Sequence, residues 1–499
     1  SPNIALFSLL ISLTVGLTVS ITTQYVFNKN THIPRDKKSK ASIFASLIII
    51  LIISYGHIFN ESYKWLFSSL TENISPSEKE TKITLQILLG LVYLLILYVG
   101  LQKIAHLSET LSRIVSQTVL AFSLTLLAVS LSSSLVQYLT PSTPITYNKN
   151  TTILPSPFPF KTNCQYCNSD IYYIILDGYA RQDILRHYYN HDNSPFLNSL
   201  QNQGFHTIND ARSNYSWTFL SLASSLNMNY IPKLSKKIDH SSQNKANLFI
   251  PIRNNLVSQK LKKRGYQYVH MDSTYGPTLK NPFADIEYNC NANIIKNDFI
   301  SILIEGTIFR IFNGKFSLNL AKCHLDNFEW LKNVPSKIEG KKFVFAHFLL
   351  PHHPYIFGKN GEILREATLS NQFEFQKLLW GDRNSYLNQL KFLNKKVLEI
   401  TNSIIKQSKT PPIIIIHSDH GPQLVSPLGA RDKHYNHGRS AITFSILTPD
   451  HTTNIPVKSP VNIFRYVFSN YLNEKHEILP DQYFSSEYKK PFYFREIIF

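Results

Sequence analysis

The sequence predicts an N-terminal transmembrane α-helical region of about four helices, followed by an α/β extracytoplasmic domain with a mostly parallel sheet sandwiched by helices. Three observations predict it. Long uncharged apolar stretches fall within residues 1–139. From residue 163 onward, short β-branched and aromatic runs alternate with helical stretches. Two of those runs end on acidic residues, at Asp177-Gly178 and at Ser418-Asp419-His420-Gly421.

A bilayer-spanning helix takes roughly 20 apolar residues. Four segments qualify: Ile4 to Phe27, Ala41 to Phe59, Ile83 to Leu101 and Ile114 to Leu139. The loops set their orientation. Lys29, Arg35, Lys37, Lys38 and Lys40 face only Asp36 in the first loop, whereas the second carries Glu61, Glu72, Glu78 and Glu80 against Lys64, Lys79 and Lys82. The third loop has Lys103 and Arg113. Excess Lys and Arg marks the cytoplasmic side, which puts everything after Leu139 outside the membrane. A cleaved signal peptide cannot explain four spans. Buried core helices are the alternative, and the alternating loop charge argues against them.

Residues 140–162 form an expected Pro-rich linker on the outer membrane face, with Pro141, Pro144, Pro155, Pro157 and Pro159 and no hydrophobic period. Residues 163–499 then make the catalytic-size domain. Its strand candidates are 171–176, 266–271, 343–350, 412–417 and 441–447. Leu390, Leu393, Val397, Ile400 and Ile404 recur at helical spacing just before the 412–417 run, the pattern of a β-α-β crossover. That stripe is core packing.

All four cysteines, Cys164, Cys167, Cys290 and Cys323, belong to the outer domain. In an oxidising compartment this predicts disulfides, with Cys290 to Cys323 the expected second bridge. The Cys164-x-x-Cys167 spacing has no second pair to complete a zinc site. The chain carries 51 Lys and Arg against 33 Asp and Glu, a formal net charge of +18. A basic outer domain suits anionic lipid head groups and phosphorylated glycans. No basic block in it exceeds Lys262-Lys263-Arg264, so nucleic acid is excluded as a partner.

In open α/β sheets, ligands gather outside the carboxyl ends of the strands. Asp177 and the Asp419-His420 pair both stand at such ends. Each is open to a bland reading, as a turn or as surface loop residues. Together they point to one metal site. Between them, Asp210-Ala211-Arg212-Ser213-Asn214-Tyr215-Ser216-Trp217-Thr218 is a hydroxyl-rich turn leading into a helix. Such hydroxyls are ordinarily N-caps. The same position suits a nucleophile, because a helix N-terminus offers backbone N–H groups to phosphate and stabilises an alkoxide.

These stretches, with His347-x4-His352-x-Pro354, resemble the alkaline phosphatase and sulfatase superfamily in their order along the chain. The membrane-anchored branch is the most similar in layout: phosphoethanolamine transferases that modify lipid A, and lipoteichoic acid synthases. The resemblance implies an alkaline-phosphatase/sulfatase-like fold and one divalent metal, Zn2+ or Mn2+, held by Asp177, Asp419, His420 and the nucleophile oxygen. Asp177 departs from the Glu usual in the transferases. Ser213 aligns best as the catalytic nucleophile and metal ligand, with Ser216 and Thr218 as alternatives. His352 and His437 are implied as catalytic and substrate-binding residues. His434 is a rival of His437 in substrate binding, and a supporting role falls to His347 and His353.

What the resemblance implies is a phosphoryl-group transferase of the bacterial inner membrane, multi-pass, with a periplasmic catalytic domain. Its donor would be a membrane phospholipid carrying phosphoethanolamine or phosphoglycerol, its acceptor an envelope glycan or lipid, and its state a monomer. A metal-dependent phosphodiesterase or phosphatase and a non-catalytic envelope-binding protein are the alternatives. Sulfate ester hydrolysis fits poorly. Formylglycine formation requires Cys or Ser followed by x-Pro-x-Arg, and Ser213 has Tyr215 and Trp217 at those places.

Overall fold

The computed structural model describes residues 37, 39–48, 51, 78–118, 165–234, 244–290, 313–364, 380, 382–424 and 433–499. The chain divides into two compact units, residues 1–142 with 297–313, and residues 143–296 with 314–499. In the first, helix α1 (Glu78–Ala105) contains the span expected over 83–101. Its stretch Leu88–Ala105 has a mean hydropathy of 1.9 and exposes Leu91, Leu94 and Leu95. Among the described residues, α1 alone is long and apolar enough to cross a bilayer. The span expected over 4–27 lies outside the described residues, as do most of those over 41–59 and 114–139 and the linker to residue 162.

The second unit is built on a seven-stranded sheet. Its elements run β1 (Ile171–Leu176), α2 (Gln182–Tyr189), β2 (His206–Thr207), α3 (Thr218–Leu226), β3 (Gln267–Met271), β4 (Ile286–Tyr288), α4 (Asn313–Lys337), β5 (Lys342–Phe348), α5 (Arg383–Gln407), β6 (Ile413–His417), α6 (Lys433–Ser440), β7 (Phe444–Leu447) and α7 (Ile463–Tyr471). A separate antiparallel pair follows, β8 (Phe484–Glu487) and β9 (Lys490–Glu496). The strand order is β2-β7-β6-β1-β5-β3-β4. Only β7 opposes its neighbours, so the sheet is mostly parallel.

Period-2 alternation splits the central strands into two cores. Tyr173, Phe345 and Ile415 lie side by side in register and pack with Leu222 of α3 and Phe464 of α7. Tyr172, Val344 and Ile414 face the opposite way, onto Leu331 of α4 and Leu393 of α5. Both faces are therefore dry, which explains why β1, β5 and β6 read as continuous apolar runs. Burying each such side chain stabilises the fold by roughly 1.5–3 kcal/mol. The α5 stripe Leu390, Leu393, Val397, Ile400 and Ile404 is buried as its spacing predicts, and Asp382 caps the helix by accepting from Ser385 N at 3.0 Å.

The Cys290–Cys323 disulfide is present. Cys167 is also disulfide-bonded, while Cys164 lies outside the described residues.

Candidate metal centre

Because β1 pairs with both β5 and β6, the residues that follow these strands emerge together. Asp177 leaves β1 with its N–H donating to Phe348 O at 2.9 Å. Gly178 then turns the chain at φ +72, where a Cβ would stand 2.7 Å from the Trp380 ring. Its N–H donates to Asp419 Oδ1 at 3.2 Å, and Tyr179 N–H donates to Ser418 Oγ at 2.8 Å, so the two acidic strand ends are tied to each other. On the other side Gly421 allows close approach of α6: a Cβ there would lie 2.0 Å from Gly438 O.

Asp177, Asp419 and His420 meet at this place, with one ligand atom from each within 4.8 Å of the others. All three are buried, at 2%, 0% and 1% exposure. His420 Nε2 is 3.3 Å from Asp419 Oδ2 and 3.7 Å from Asp177 Oδ1. Among the described residues neither of those carboxylate oxygens has a hydrogen-bond partner. Buried charged oxygens without partners are costly, and a divalent cation satisfies them. The donor set, two carboxylates and one imidazole, fits zinc or manganese.

Electrostatics favour the same use. Burial, followed by the charge of Asp177, pushes the Asp419 carboxyl up to about 7. Burial would also raise Asp177, but His352, His347 and His420 outweigh it and hold that carboxyl below its ordinary range. His420 is pushed well below its ordinary value by burial and by Arg439, which keeps its imidazole neutral. Its Nδ1 lies 3.1 Å from Gly421 O, an acceptor only, so Nδ1 carries the proton and Nε2 the lone pair.

The hydroxyls of the turn separate clearly. Thr218, first residue of α3, has Oγ1 3.2 Å from His420 Nε2 and acts on the Asp419 carboxyl. Ser213 Oγ, expected as nucleophile and ligand, lies within hydrogen-bonding distance of two backbone carbonyls, Tyr215 O at 2.8 Å and Asp419 O, and of Ser221 Oγ at 3.3 Å. Ser216 Oγ donates to Phe484 O at 3.4 Å.

His352 stands beside these residues, its main-chain N–H donating to the main-chain Asp177 O at 3.0 Å and its ring centroid 6.2 Å from that of His420. His347 Nε2 lies 3.5 Å from Asp177 Oδ2, and its Nδ1 lies 2.9 Å from Thr278 Oγ1. His353 packs edge-on against Trp380. His437 makes its contacts elsewhere: half-exposed, it meets Asp183 Oδ2 at 3.4 Å and Arg212 Nη1 at 3.3 Å. The side chain of His434 lies outside the described residues.

Two residues were missed in the sequence. Arg439, in α6, brings its Nη2 to 2.9 Å from His420 Nε2, and Trp380 walls the site beside Gly178 and His352. The segment around Arg439 drew attention for its histidines, and a single Arg or Trp carries no spacing signal.

A mostly parallel sheet with two buried carboxylates and an imidazole at the carboxyl ends of its strands makes this an α/β domain with a candidate metal site. No protein-family model and no curated protein matches the chain. Among solved structures it is similar to the C-terminal periplasmic domain of EcEptC from Escherichia coli in complex with Zn, at 13% identity and a TM-score of 0.41, covering 61% of this chain and 82% of that one. It is also similar to the integral membrane lipooligosaccharide phosphoethanolamine transferase A (EptA) of Neisseria meningitidis, at 12% identity and a TM-score of 0.40, covering 94% and 95%. A third is the C-terminal periplasmic domain of phosphoethanolamine transferase EptC from Campylobacter jejuni, at 12% identity and a TM-score of 0.38, covering 62% and 91%. Phosphoethanolamine transferases are among the groups that the motifs resemble.

Proposed function

We propose that the chain is a membrane-anchored, divalent-metal-dependent transferase that moves a phospho-head group, phosphoethanolamine or phosphoglycerol, from a phospholipid to an envelope glycan or lipid. The observation that carries this reading is the Thr218 hydroxyl, 3.2 Å from His420 Nε2 at the start of a helix and beside two buried carboxylates. Asp177, Asp419 and His420 would hold the metal, with Thr218 in place of Ser213 as the nucleophile. A bound zinc or manganese ion lowers the pKa of a neighbouring hydroxyl and stabilises charge on phosphoryl oxygens.

Thr218 Oγ1 attacks the lipid phosphorus, an O–P bond forms, and the P–O bond to diacylglycerol breaks. His352 Nδ1 is 2.5 Å from His353 O, which fixes the proton on Nδ1 and leaves Nε2 as a base. Burial keeps that ring neutral at rest. It takes the Thr218 proton and returns it to the departing diacylglycerol oxygen. An acceptor hydroxyl then attacks the same phosphorus, and Thr218 leaves with a proton restored. We place the chain in the bacterial inner membrane with the sheet domain in the periplasm; the apolar α1 fits a membrane anchor and the disulfide fits an oxidising compartment.

The test supplies full-length protein in detergent, loaded with zinc, with phosphatidylethanolamine and separately phosphatidylglycerol. Diacylglycerol release from one of them, lost in Asp419→Ala, is the expected result. Unchanged release in that variant, or none from either lipid with zinc bound, contradicts the proposal. Release of free phospho-head group in step with diacylglycerol would identify water as the acceptor and the protein as a hydrolase.

A further inference from the structure

Arg439 is buried at 3% exposure beside the metal centre. Its guanidinium spans three segments: Nε donates to Ser216 O at 2.8 Å, Nη1 to Gly421 O at 2.9 Å, and Nη2 to His420 Nε2 at 2.9 Å. Trp217 and Trp380 flank it, with the guanidinium carbon 5.0 and 6.0 Å from their ring centroids. The third contact matters most. His420 Nδ1 is committed to Gly421 O, so Nε2 offers one lone pair. One lone pair serves a guanidinium donor or a metal ion, and cannot serve both.

We propose that Arg439 is a phosphoryl-binding residue that exchanges partners when the metal binds, giving up His420 Nε2 and turning Nη2 to the anionic oxygens of the phosphoryl group. Two facts favour that destination. Thr218 Oγ1, where the phosphoryl group would attach, lies 3.2 Å from the same Nε2 that Nη2 contacts, so donor and nucleophile flank one atom. Phosphoryl oxygens, which carry charge and offer several lone pairs, are stronger acceptors for a guanidinium N–H than a neutral imidazole nitrogen. The bonds from Nε and Nη1 to main-chain carbonyls and the two indole walls hold the guanidinium while Nη2 changes partner. Metal loading and anion binding are thereby coupled through one side chain, and the coupling is reciprocal.

This inference rests on the metal-centre reading, and the experiment separates the two. Zinc affinity is measured against a chromophoric chelator, and inorganic phosphate binding by calorimetry with and without zinc, for wild type and for Arg439→Gln and Arg439→Lys. Zinc should raise the phosphate affinity of wild type at least tenfold. Arg439→Gln should bind zinc as tightly as wild type or more tightly, because a competitor for Nε2 is gone, and should lose the tenfold gain. Arg439→Lys, with charge kept and the fork lost, should fall between them, and it carries the test should the Gln variant not fold. A merely structural Arg439 would lower zinc affinity in both variants, and that result overturns the proposal. A zinc-loaded Gln variant with wild-type phosphate affinity also overturns it, as does a wild type whose phosphate affinity ignores zinc. Absence of zinc binding in wild type would instead refute the metal centre itself.

Discussion

Thr218 and Ser213 share one turn and are both buried, but the backbone aims their hydroxyls differently. Thr218 faces His420, and Ser213 faces main-chain carbonyls. Thr218→Ala should therefore lower turnover by about 10³-fold or more, as expected for a lost nucleophile. Ser213→Ala should keep turnover within about tenfold while lowering stability by about 1–3 kcal/mol through the unmet carbonyls. Lipid kinetics and urea unfolding together check this pair, and the reverse pattern would return the nucleophile to Ser213. Zinc binding should also depend on pH. Asp419 must lose its proton to ligate, and its carboxyl is pushed up to about 7, so affinity should rise as pH climbs through about 7 and level off above it. Zinc titrations across that range would show a flat profile if Asp419 were not a ligand. The convergence of Asp177, Asp419 and His420 is legible in the sequence because they follow two apolar runs that become neighbouring strands. Which hydroxyl of the turn faces His420 is not legible, since direction within a turn depends on dihedrals that residue type leaves open.

Strands β1, β5 and β6 and helix α5 could be read from sequence because burial on both sheet faces leaves long apolar runs, and a helix over one face leaves a 3.6 period. The short strands β2 and β4, and the β8–β9 pair, are half-exposed in part and give no comparable run. Leu393 of α5 is fully buried against Tyr172, Val344 and Ile414 of the sheet. Leu393→Ala should cost about 2–5 kcal/mol by leaving a cavity, with the KM for lipid unchanged. Chemical denaturation with parallel kinetics would expose any hidden catalytic role of that stripe. α6 behaves differently. It meets the metal loop through Gly421, whose N–H donates to Arg439 O at 2.8 Å, and no sequence period announces such a contact.

At the scale of the molecule, cysteine placement is the readable signal. The Cys290–Cys323 bridge joins residues 33 apart, and it was expected because all four cysteines share one domain. Replacing both with Ser should lower stability by about 3–4 kcal/mol through loop-closure entropy in the unfolded chain. Thermal unfolding of the double variant measures this, and an unchanged midpoint would contradict it. Helix α1 alone accounts for a span among the described residues, so orientation rests on the loop charges. A reporter active only outside the cytoplasm, fused after residue 140, should be active if the first and third loops face inward.

On the proposed mechanism, Thr218 carries the transferred group. Full-length protein with zinc and the lipid that releases diacylglycerol would be quenched without acceptor, weighed intact and mapped by peptide. One phospho-head group per chain is expected on Thr218, absent in Asp419→Ala. The same adduct on Ser213 or Ser216, or diacylglycerol released with no adduct trapped, would contradict it.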